Sequence, residues 1–417
     1  MVRHSLRWHA IWLLWMAAGF LVAELNAAPP APAPMALRKG VQFLHACHPG
    51  PRQRILAVGD ILLHDTLQKQ AVRVGSFAPL WQQLTGLIQS ADISFANLEG
   101  PAAAGVNSTG GHVQDPGLIF DQQVYNSFPL FNYPAQLVAD LAISGFDILS
   151  LGNNHILDRK ALGIDRTIAA LEQAGIAYSG ARRSNHEVQR QPWVAILTRN
   201  GLTTAWIGCS YGTNGVIDFR RQVLLCHAHQ QEIRQLVTLW KDQVDAVFIT
   251  PHWGEENSTQ PTPVQEEFAK EMLELGALAI LGSHPHTVQP WVKHRTRDGR
   301  ETLIVYSLGN FVNGQKQIWQ QSIALLLLDL IQDQGKTRIA QVRFVPAFMA
   351  NQEGERLLTA LDPDGSHAGL KHLLKVLPKA NMIGYDQALT RTSDNPDSCQ
   401  PPPATRQISI DPLDNPP

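Results

Sequence analysis

The residues best equipped for chemistry fall, one after another, where short apolar runs end. Asp60 follows the run 54–58, Glu99 follows 93–96, and Asn154 and His155 follow 148–151. His252 follows 246–250, His284 and His286 follow 278–281, and Asn310 follows 303–307. Carboxylates, imidazoles and amides are the donors that divalent cations select. The densest group is Gly282-Ser283-His284-Pro285-His286. Residues two apart in an extended segment face one side, so both imidazoles are expected to reach one point. Gly282 lets the backbone come close, and Pro285 stiffens the loop. A single His-Pro-His step reads equally well as two surface histidines. Six strand ends in a row, each carrying a donor, point to one site.

The elements that must position these groups read as alternating strands and helices. The short apolar runs have the length of buried strands. Helical spacing marks 77–89, 134–144, 165–174, 230–240 and 264–275, with one more helix over about 366–377. Hairpins are expected around Asn200-Gly201 and Gln334-Gly335. In open α/β sheets ligands bind outside the carboxyl ends of the strands, so strands sharing a direction would place all six loops on one rim. Residues 102–132, rich in Gly, Asn and Ser, read as an irregular surface excursion near that rim.

The chain has 417 residues, 44% hydrophobic and 17% charged, which suits one large α/β domain or two smaller ones. Its formal charge of −2 and the lack of a basic stripe argue against nucleic-acid and polybasic membrane binding. Arg3 and Arg7, an apolar stretch over 10–22 and the small residues Ala23, Ala27 and Ala28 form a secretory signal layout over 1–28. Export to the periplasm or the extracellular space follows, with a retained N-terminal anchor as the alternative. No Cys follows the apolar run, so a bacterial lipid anchor is not expected. Residues 29–52 read as a linker and 392–417 as a disordered tail. In an exported chain four cysteines point to disulfides. Cys209 and Cys226 flank a Gly-rich excursion and are expected to pair, as are Cys47 and Cys399.

The blocks Ala57-Val58-Gly59-Asp60, Asn97-Leu98-Glu99-Gly100-Pro101 and Ser150-Leu151-Gly152-Asn153-Asn154-His155-Ile156-Leu157-Asp158 occur in order. They are followed by His252-Trp253-Gly254-Glu255-Glu256, Gly282-Ser283-His284-Pro285-His286 and Tyr306-Ser307-Leu308-Gly309-Asn310-Phe311. Together they resemble the CapA proteins of poly-γ-glutamate capsule synthesis, over roughly residues 53–350, which leaves 351–391 as a C-terminal extension. CapA proteins are similar in fold to calcineurin-like metallophosphoesterases. The resemblance therefore implies an α/β fold, a metallophosphatase-like layered sandwich of β-sheets flanked by α-helices.

It also implies roles. Asp60 would ligate a first divalent metal ion, Mn, Zn, Fe or Mg, and Glu99 sits where the phosphoesterases have a bridging aspartate. Asn154, His252 and His284 would hold a second ion, while His286 returns to the first. His155 matches the residue that protonates the leaving group. The implied function is an exported metal-dependent hydrolase or transferase of capsule biosynthesis. Its implied partners are an anionic cell-envelope polymer or its precursor, and a membrane-bound capsule synthase complex. The alternative is a non-catalytic subunit that holds the polymer on the same rim.

Two positions depart from the phosphoesterase pattern. Leu62 stands where their Asp-x-His motif has histidine, and Leu98-Glu99 replaces Gly-Asp. His64 would replace the missing histidine if the loop folds back, and is otherwise an ordinary loop residue. Asp158 orients His155 or ligates a metal. Glu256, Trp253 and Asn310 are candidate substrate contacts. Against this, Trp253 equally suits core packing, and Asn310 equally suits a turn that bonds backbone.

Overall fold

The apolar runs form strands, and strand direction is what brings the donors together. The computed structural model describes residues 40–48, 52–185 and 193–390. The chain divides into units Met1–Pro34 and Met35–Pro417, and every described residue lies in the second. The expected signal segment and the tail fall outside the described residues. Among those described, no helix is long and apolar enough to cross a membrane.

Fourteen strands in the described residues make two sheets. In the first, β1 (Arg52–Leu62), β2 (Ile93–Leu98), β3 (Ile148–Ser150) and β4 (Ala177–Ser179) run parallel. β11 (Asn310–Asn313) also lies parallel to β1. On the other side of β1 the antiparallel strands β12 (Ser322–Asp333), β13 (Lys336–Gln352) and β14 (Glu355–Ala360) complete the sheet. The second sheet is ordered β5 (Val194–Arg199), β6 (Leu202–Ser210), β7 (Ala246–His252), β8 (Ala279–Leu281), β10 (Glu301–Val305) and β9 (Trp291–Arg295). There β6, β7, β8 and β10 are parallel.

Alternation along the strands sorts the core into layers. In β1, Leu56 and Val58 pack with Trp81, Leu137 and Ile164 from the helices outside the first sheet. Their neighbours Ile55 and Ala57 point the other way and pack with Phe95, Trp206 and Phe248 between the sheets. Trp206 stacks on Phe95 at 5.2 Å and on Phe248 at 4.5 Å between ring centroids. Ile207 and Ile249 pack with Ile233, Phe268 and Met272 of the helices outside the second sheet. A strand buried on both faces needs apolar side chains at successive positions, which is why these runs read as unbroken.

Both expected hairpins form, at β5–β6 and β12–β13, with Asn200, Gly201, Gln334 and Gly335 all at positive φ. The helix expected over 77–89 is a 3₁₀ segment, Ala78–Leu84, running into an α-helix, Thr85–Ser90. A helix not expected, Asp65–Val74, buries Gln68 and Gln70 along with Leu67 and Ala71. Gln68 Nε2 donates to the Leu63 and Asn126 carbonyls at 2.9 and 2.8 Å, so hydrogen bonds replace the apolar period. Past residue 350, β14 pairs with β13, and Leu370 and Leu373 of helix Ala368–Val376 are buried. Cys209 and Cys226 are bonded as expected. Cys47 is disulfide-bonded too, and Cys399 lies outside the described residues.

One buried ion cluster pins the first sheet. Asp329 of β12 accepts from Arg54 Nε of β1 at 2.9 Å and from Arg343 of β13 at 2.5 Å. Burial alone would raise the Asp329 carboxyl, but the two guanidinium groups outweigh it and hold it below the usual range. A depressed folded-state pKa contributes stability above the unfolded value of about 3.9, lost only as pH falls through the folded value. Asp329→Asn removes the carboxylate that Arg54 and Arg343 share and is expected to cost about 3–5 kcal/mol at neutral pH. Chemical denaturation at pH 7 checks this, and a loss below about 1 kcal/mol, the scale of a surface pair, would contradict it.

Candidate metal centre

Each donor is aimed by a local irregularity at the end of its strand. The pairing of β1 slips between Ala57 and Asp60 against β2 and again after Asp60 against β11. Such a bulge re-aims a side chain. Gly59 is required there, because a Cβ would lie 1.8 Å from the Gly309 carbonyl oxygen. Glu99 follows β2 directly, and Asn154 and His155 lie in the turn after β3. His252 is the last residue of β7. Gly282 has no room for a Cβ either, which would meet the Tyr306 oxygen at 2.2 Å. His284 and His286 then adopt φ values of 100° and 56°. The loop is therefore not extended, and the two imidazoles do not meet at one point as alternation suggested. They serve adjacent positions, their ring centroids 6.0 Å apart. Non-glycine residues at positive φ are strained and cluster at functional sites.

The side chains converge as two overlapping donor groups. Glu99, His252 and His284 form one and Asp60, Glu99 and His286 the other, with each group's ligand atoms within 4.8 Å of one another. Glu99 belongs to both. In the first group His252 Nε2 lies 3.5 Å from Glu99 Oε1, 3.2 Å from His284 Nδ1 and 2.9 Å from Asn154 Oδ1. In the second, His286 Nδ1 lies 3.3 Å from Asp60 Oδ2 and 3.8 Å from Glu99 Oε2. Asp60, Glu99 and His252 are wholly buried. Neither Glu99 carboxylate oxygen has a hydrogen bond of ordinary geometry, His252 Nε2 lying 3.5 Å from Oε1. A buried carboxylate left without donors is costly, and a cation between the two groups satisfies it. Two nitrogens and one carboxylate on one side, and two carboxylates and one nitrogen on the other, fit divalent metal.

The electrostatics agree. Burial alone would raise the Glu99 carboxyl, but His286 and His252 outweigh it and keep Glu99 ionised. Burial and the neighbouring His252 push His284 down to about 2, leaving a neutral imidazole able to ligate. Burial would likewise lower His286, yet the Glu99 and Asp60 carboxylates prevail and push it up to about 9. His286 thus holds a proton against these two carboxylates, one that a metal held by Asp60 and Glu99 would displace.

His155 stands beside the first group with its Nδ1 2.8 Å from Asp158 Oδ2. Asp158 is held in turn by the Phe131 N–H at 2.7 Å, and the Phe131 ring meets the His155 ring edge-on at 4.8 Å. Burial would lower the His155 pKa, but the Asp158 carboxylate raises it. Asp158 is in neither donor group; it orients His155. The irregular stretch 102–132 thus reaches the site through Phe131, while Tyr133 donates to the Glu99 carbonyl at 2.7 Å.

The other expected residues divide. Trp253 is not a substrate wall: it is fully buried, donates Nε1–H to the Tyr306 carbonyl at 2.9 Å and packs on Phe268. Next to His252 in sequence, it points to the opposite side, as alternation requires. Asn310 is buried, its Oδ1 3.1 Å from His286 Nδ1 and its Nδ2 donating to the His286 and Gln320 carbonyls. It meets His286 at the same nitrogen that faces Asp60, and it has no surface for substrate. Glu256 is exposed on the loop after β7, near enough for its charge to act on His286 and Tyr211. Leu62 is buried in the core. His64 Nδ1 accepts from the Gly314 N–H at 3.3 Å and belongs to neither donor group.

Several neighbours of the site were not anticipated. Asn97 Nδ2 donates to Asp60 Oδ1 at 2.7 Å and lies 3.2 Å from His252 Nδ1, which also meets Ser283 Oγ at 2.9 Å. Tyr211 packs on the His284 ring at 4.5 Å, and Asn214 reaches both Asn154 and His155. Asn97 and Ser283 sit one or two residues from an expected ligand, where groups that orient ligands are found. Tyr211 and Asn214 lie in a loop with no such neighbour.

Comparison with known proteins places this architecture. The chain is 31% identical to the capsule biosynthesis protein CapA of Bacillus anthracis over 263 residues, 60% of each chain. It is 24% identical to the PGA biosynthesis protein CapA of Bacillus subtilis over 259 residues, 62% of each. It thus spans about three fifths of the length of these relatives. Among solved structures, the calcineurin-like phosphoesterase YfkN of Bacillus subtilis overlaps 74% of this chain and 94% of its own, at 13% identity and a TM-score of 0.38. Residues 54–315, which carry every donor described above, match the family of the bacterial capsule synthesis protein PGA_cap. The chain belongs to that family.

Proposed function

We propose that this chain is an exported, metal-dependent hydrolase or transferase of capsule biosynthesis, acting on poly-γ-glutamate or another anionic cell-envelope polymer. The observation that carries the reading is the Glu99 carboxylate, buried, ionised and without a hydrogen bond of ordinary geometry, shared between two sets of ligand atoms. When bound, a divalent metal would supply Lewis-acid polarisation of an acyl or phosphoryl oxygen. Asp60, Glu99 and His286 would hold it on one side, and Glu99, Asn154, His252 and His284 on the other. Asp158 fixes the His155 ring through Nδ1, so that Nε2, 3.4 Å from Asn214 Nδ2, is the nitrogen that would carry a proton to the departing group. The Asp158 carboxylate favours the protonated imidazole that this role needs. Export rests on the basic, apolar and small-residue order of residues 1–28, and sequencing the mature N-terminus tests it, with a start near Ala28 or Pro29 expected and an intact Met1 against it.

A second reading has its own support. Leu62 supplies no nitrogen to the Asp60 side, and His64 does not turn in to replace it. That favours a non-catalytic subunit that holds the polymer beside a membrane-bound synthase. The experiment is turnover of a panel of phosphodiesters and γ-glutamyl peptides, with Mn²⁺ or Zn²⁺ and again with chelator. Metal-dependent, chelator-sensitive turnover of any member is expected. Tight metal binding without turnover, together with saturable binding of the polymer, would replace catalysis by the second reading.

A further inference from the structure

The loop after β6 carries a residue whose contacts exceed what its turn requires. Thr213-Asn214-Gly215-Val216 is a tight turn, closed by the Val216 N–H to the Thr213 carbonyl at 2.9 Å. Asn214 and Gly215 have φ of 49° and 74°, as a turn with two left-handed central residues demands. For the turn alone, glycine would serve as well as asparagine. The Asn214 side chain, however, reaches across to the centre. Its Oδ1 accepts from Asn154 Nδ2 at 3.2 Å, and its Nδ2 lies 3.4 Å from His155 Nε2 and 3.5 Å from His155 Nδ1.

This contact matches one orientation of the Asn154 amide. With Nδ2 donating to Asn214, Asn154 Oδ1 is turned toward His252 Nε2, 2.9 Å away, on the side of the donor group. An amide turned the other way would present N–H groups where a metal needs an oxygen. The loop is anchored at both ends. Cys209 and Cys226 are bonded across it, the Ser210 N–H donates to the Leu224 carbonyl at 2.9 Å, and the Tyr211 N–H donates to the His252 carbonyl at 2.9 Å. Ser210 Oγ and Asp218 brace it internally, donating to the Gly212 carbonyl at 2.7 Å and accepting the Val223 N–H at 2.8 Å.

We infer that Asn214 is a positioning residue, holding the Asn154 amide oxygen toward the His252–His284 donor group and tying that amide to His155. The inference rests on the metal reading above, and it assigns to an exposed turn residue the role that buried partners play for the other ligands. Asn97 and Asn310 orient His252, Asp60 and His286 from inside the protein; Asn214 does so for Asn154 from the loop.

The test compares the wild type with Asn214→Gly, which keeps the turn and removes the amide, and Asn214→Asp, which keeps an acceptor for Asn154 Nδ2. Two quantities are read on the full chain: Mn²⁺ affinity by calorimetry, and hydrogen exchange of the Asn154 side-chain amide by NMR. Loss of a group that orients a ligand typically weakens metal binding by about 10–100-fold, and that is expected for Asn214→Gly. The Asn154 amide should exchange faster in the same variant, and Asn214→Asp should restore both toward the wild type. Equal Mn²⁺ affinity and equal exchange in Asn214→Gly would reduce Asn214 to a turn residue and overturn the inference. Asn214→Asp as impaired as Asn214→Gly would overturn it as well. If the wild type itself binds no Mn²⁺, the metal reading fails separately, and the Asn154 exchange rates still decide whether Asn214 holds that amide.

Discussion

Glu99→Ala is expected to remove metal binding from both donor groups at once. Glu99 is the only residue the two groups share, and its two oxygens face different partners, Oε1 toward His252 and Oε2 toward His286. Loss of a group that merely orients a ligand costs about 10–100-fold in affinity, so losing a shared direct ligand should exceed about 100-fold. His284→Ala should behave differently, because His284 belongs to one group and His286, in the other, stays close to Asp60. Titration of Mn²⁺ or Zn²⁺ into both variants separates the cases: no saturable binding in Glu99→Ala, and reduced stoichiometry or affinity in His284→Ala. Equal losses from Glu99→Ala and from a distant surface substitution such as Glu267→Ala would refute the shared role.

His155→Ala should show the opposite pattern, rate lost with metal kept. Removing a general acid typically lowers turnover by about 10²–10⁴-fold. His155 is in neither donor group, so its loss should leave metal affinity close to that of the wild type. Its pH dependence has a definite sign. The Asp158 carboxylate raises the His155 pKa, so the protonated donor persists to higher pH and activity falls as pH rises through that value. Asp158→Asn removes the carboxylate and should move this basic limb of kcat/KM to lower pH. A limb that stays in place, or a His155→Ala variant that turns over at the wild-type rate, would assign the proton to another group.

Much of the site was legible because its donors obey a local rule. Asp60, Glu99, Asn154, His252 and His284 lie at or just beyond the ends of parallel strands, and strand ends can be read from apolar runs. The rule is weaker for what happens after the strand. The His284 and His286 pair was expected to converge by alternation, but two left-handed residues send the rings to neighbouring positions. Trp253 shows alternation working against a functional reading, since a residue next to a strand-end ligand faces away from it. Asn310 looked like a contact for substrate, yet β11 opens at that residue and buries it beneath His286. Asn214 was invisible for another reason. Its loop is brought to the centre by a disulfide and by hydrogen bonds that span the two sheets, and Asn-Gly in sequence signals only a turn. The polar helix Asp65–Val74 was missed because Gln68 and Gln70, which bond backbone, share its buried face with Leu67 and Ala71.

The most direct measurement is a crystal structure of the purified chain soaked with Mn²⁺ or Zn²⁺, with the ion located by its anomalous scattering. The expected result is an anomalous peak within coordination distance of a Glu99 carboxylate oxygen, about 2.0–2.2 Å, with His252 and His284 or Asp60 and His286 completing the contacts. The contrary result is a well-ordered site with no peak there and both Glu99 oxygens hydrogen-bonded to protein or water. That outcome would mean the buried carboxylate is held by the fold itself, and the centre holds no metal.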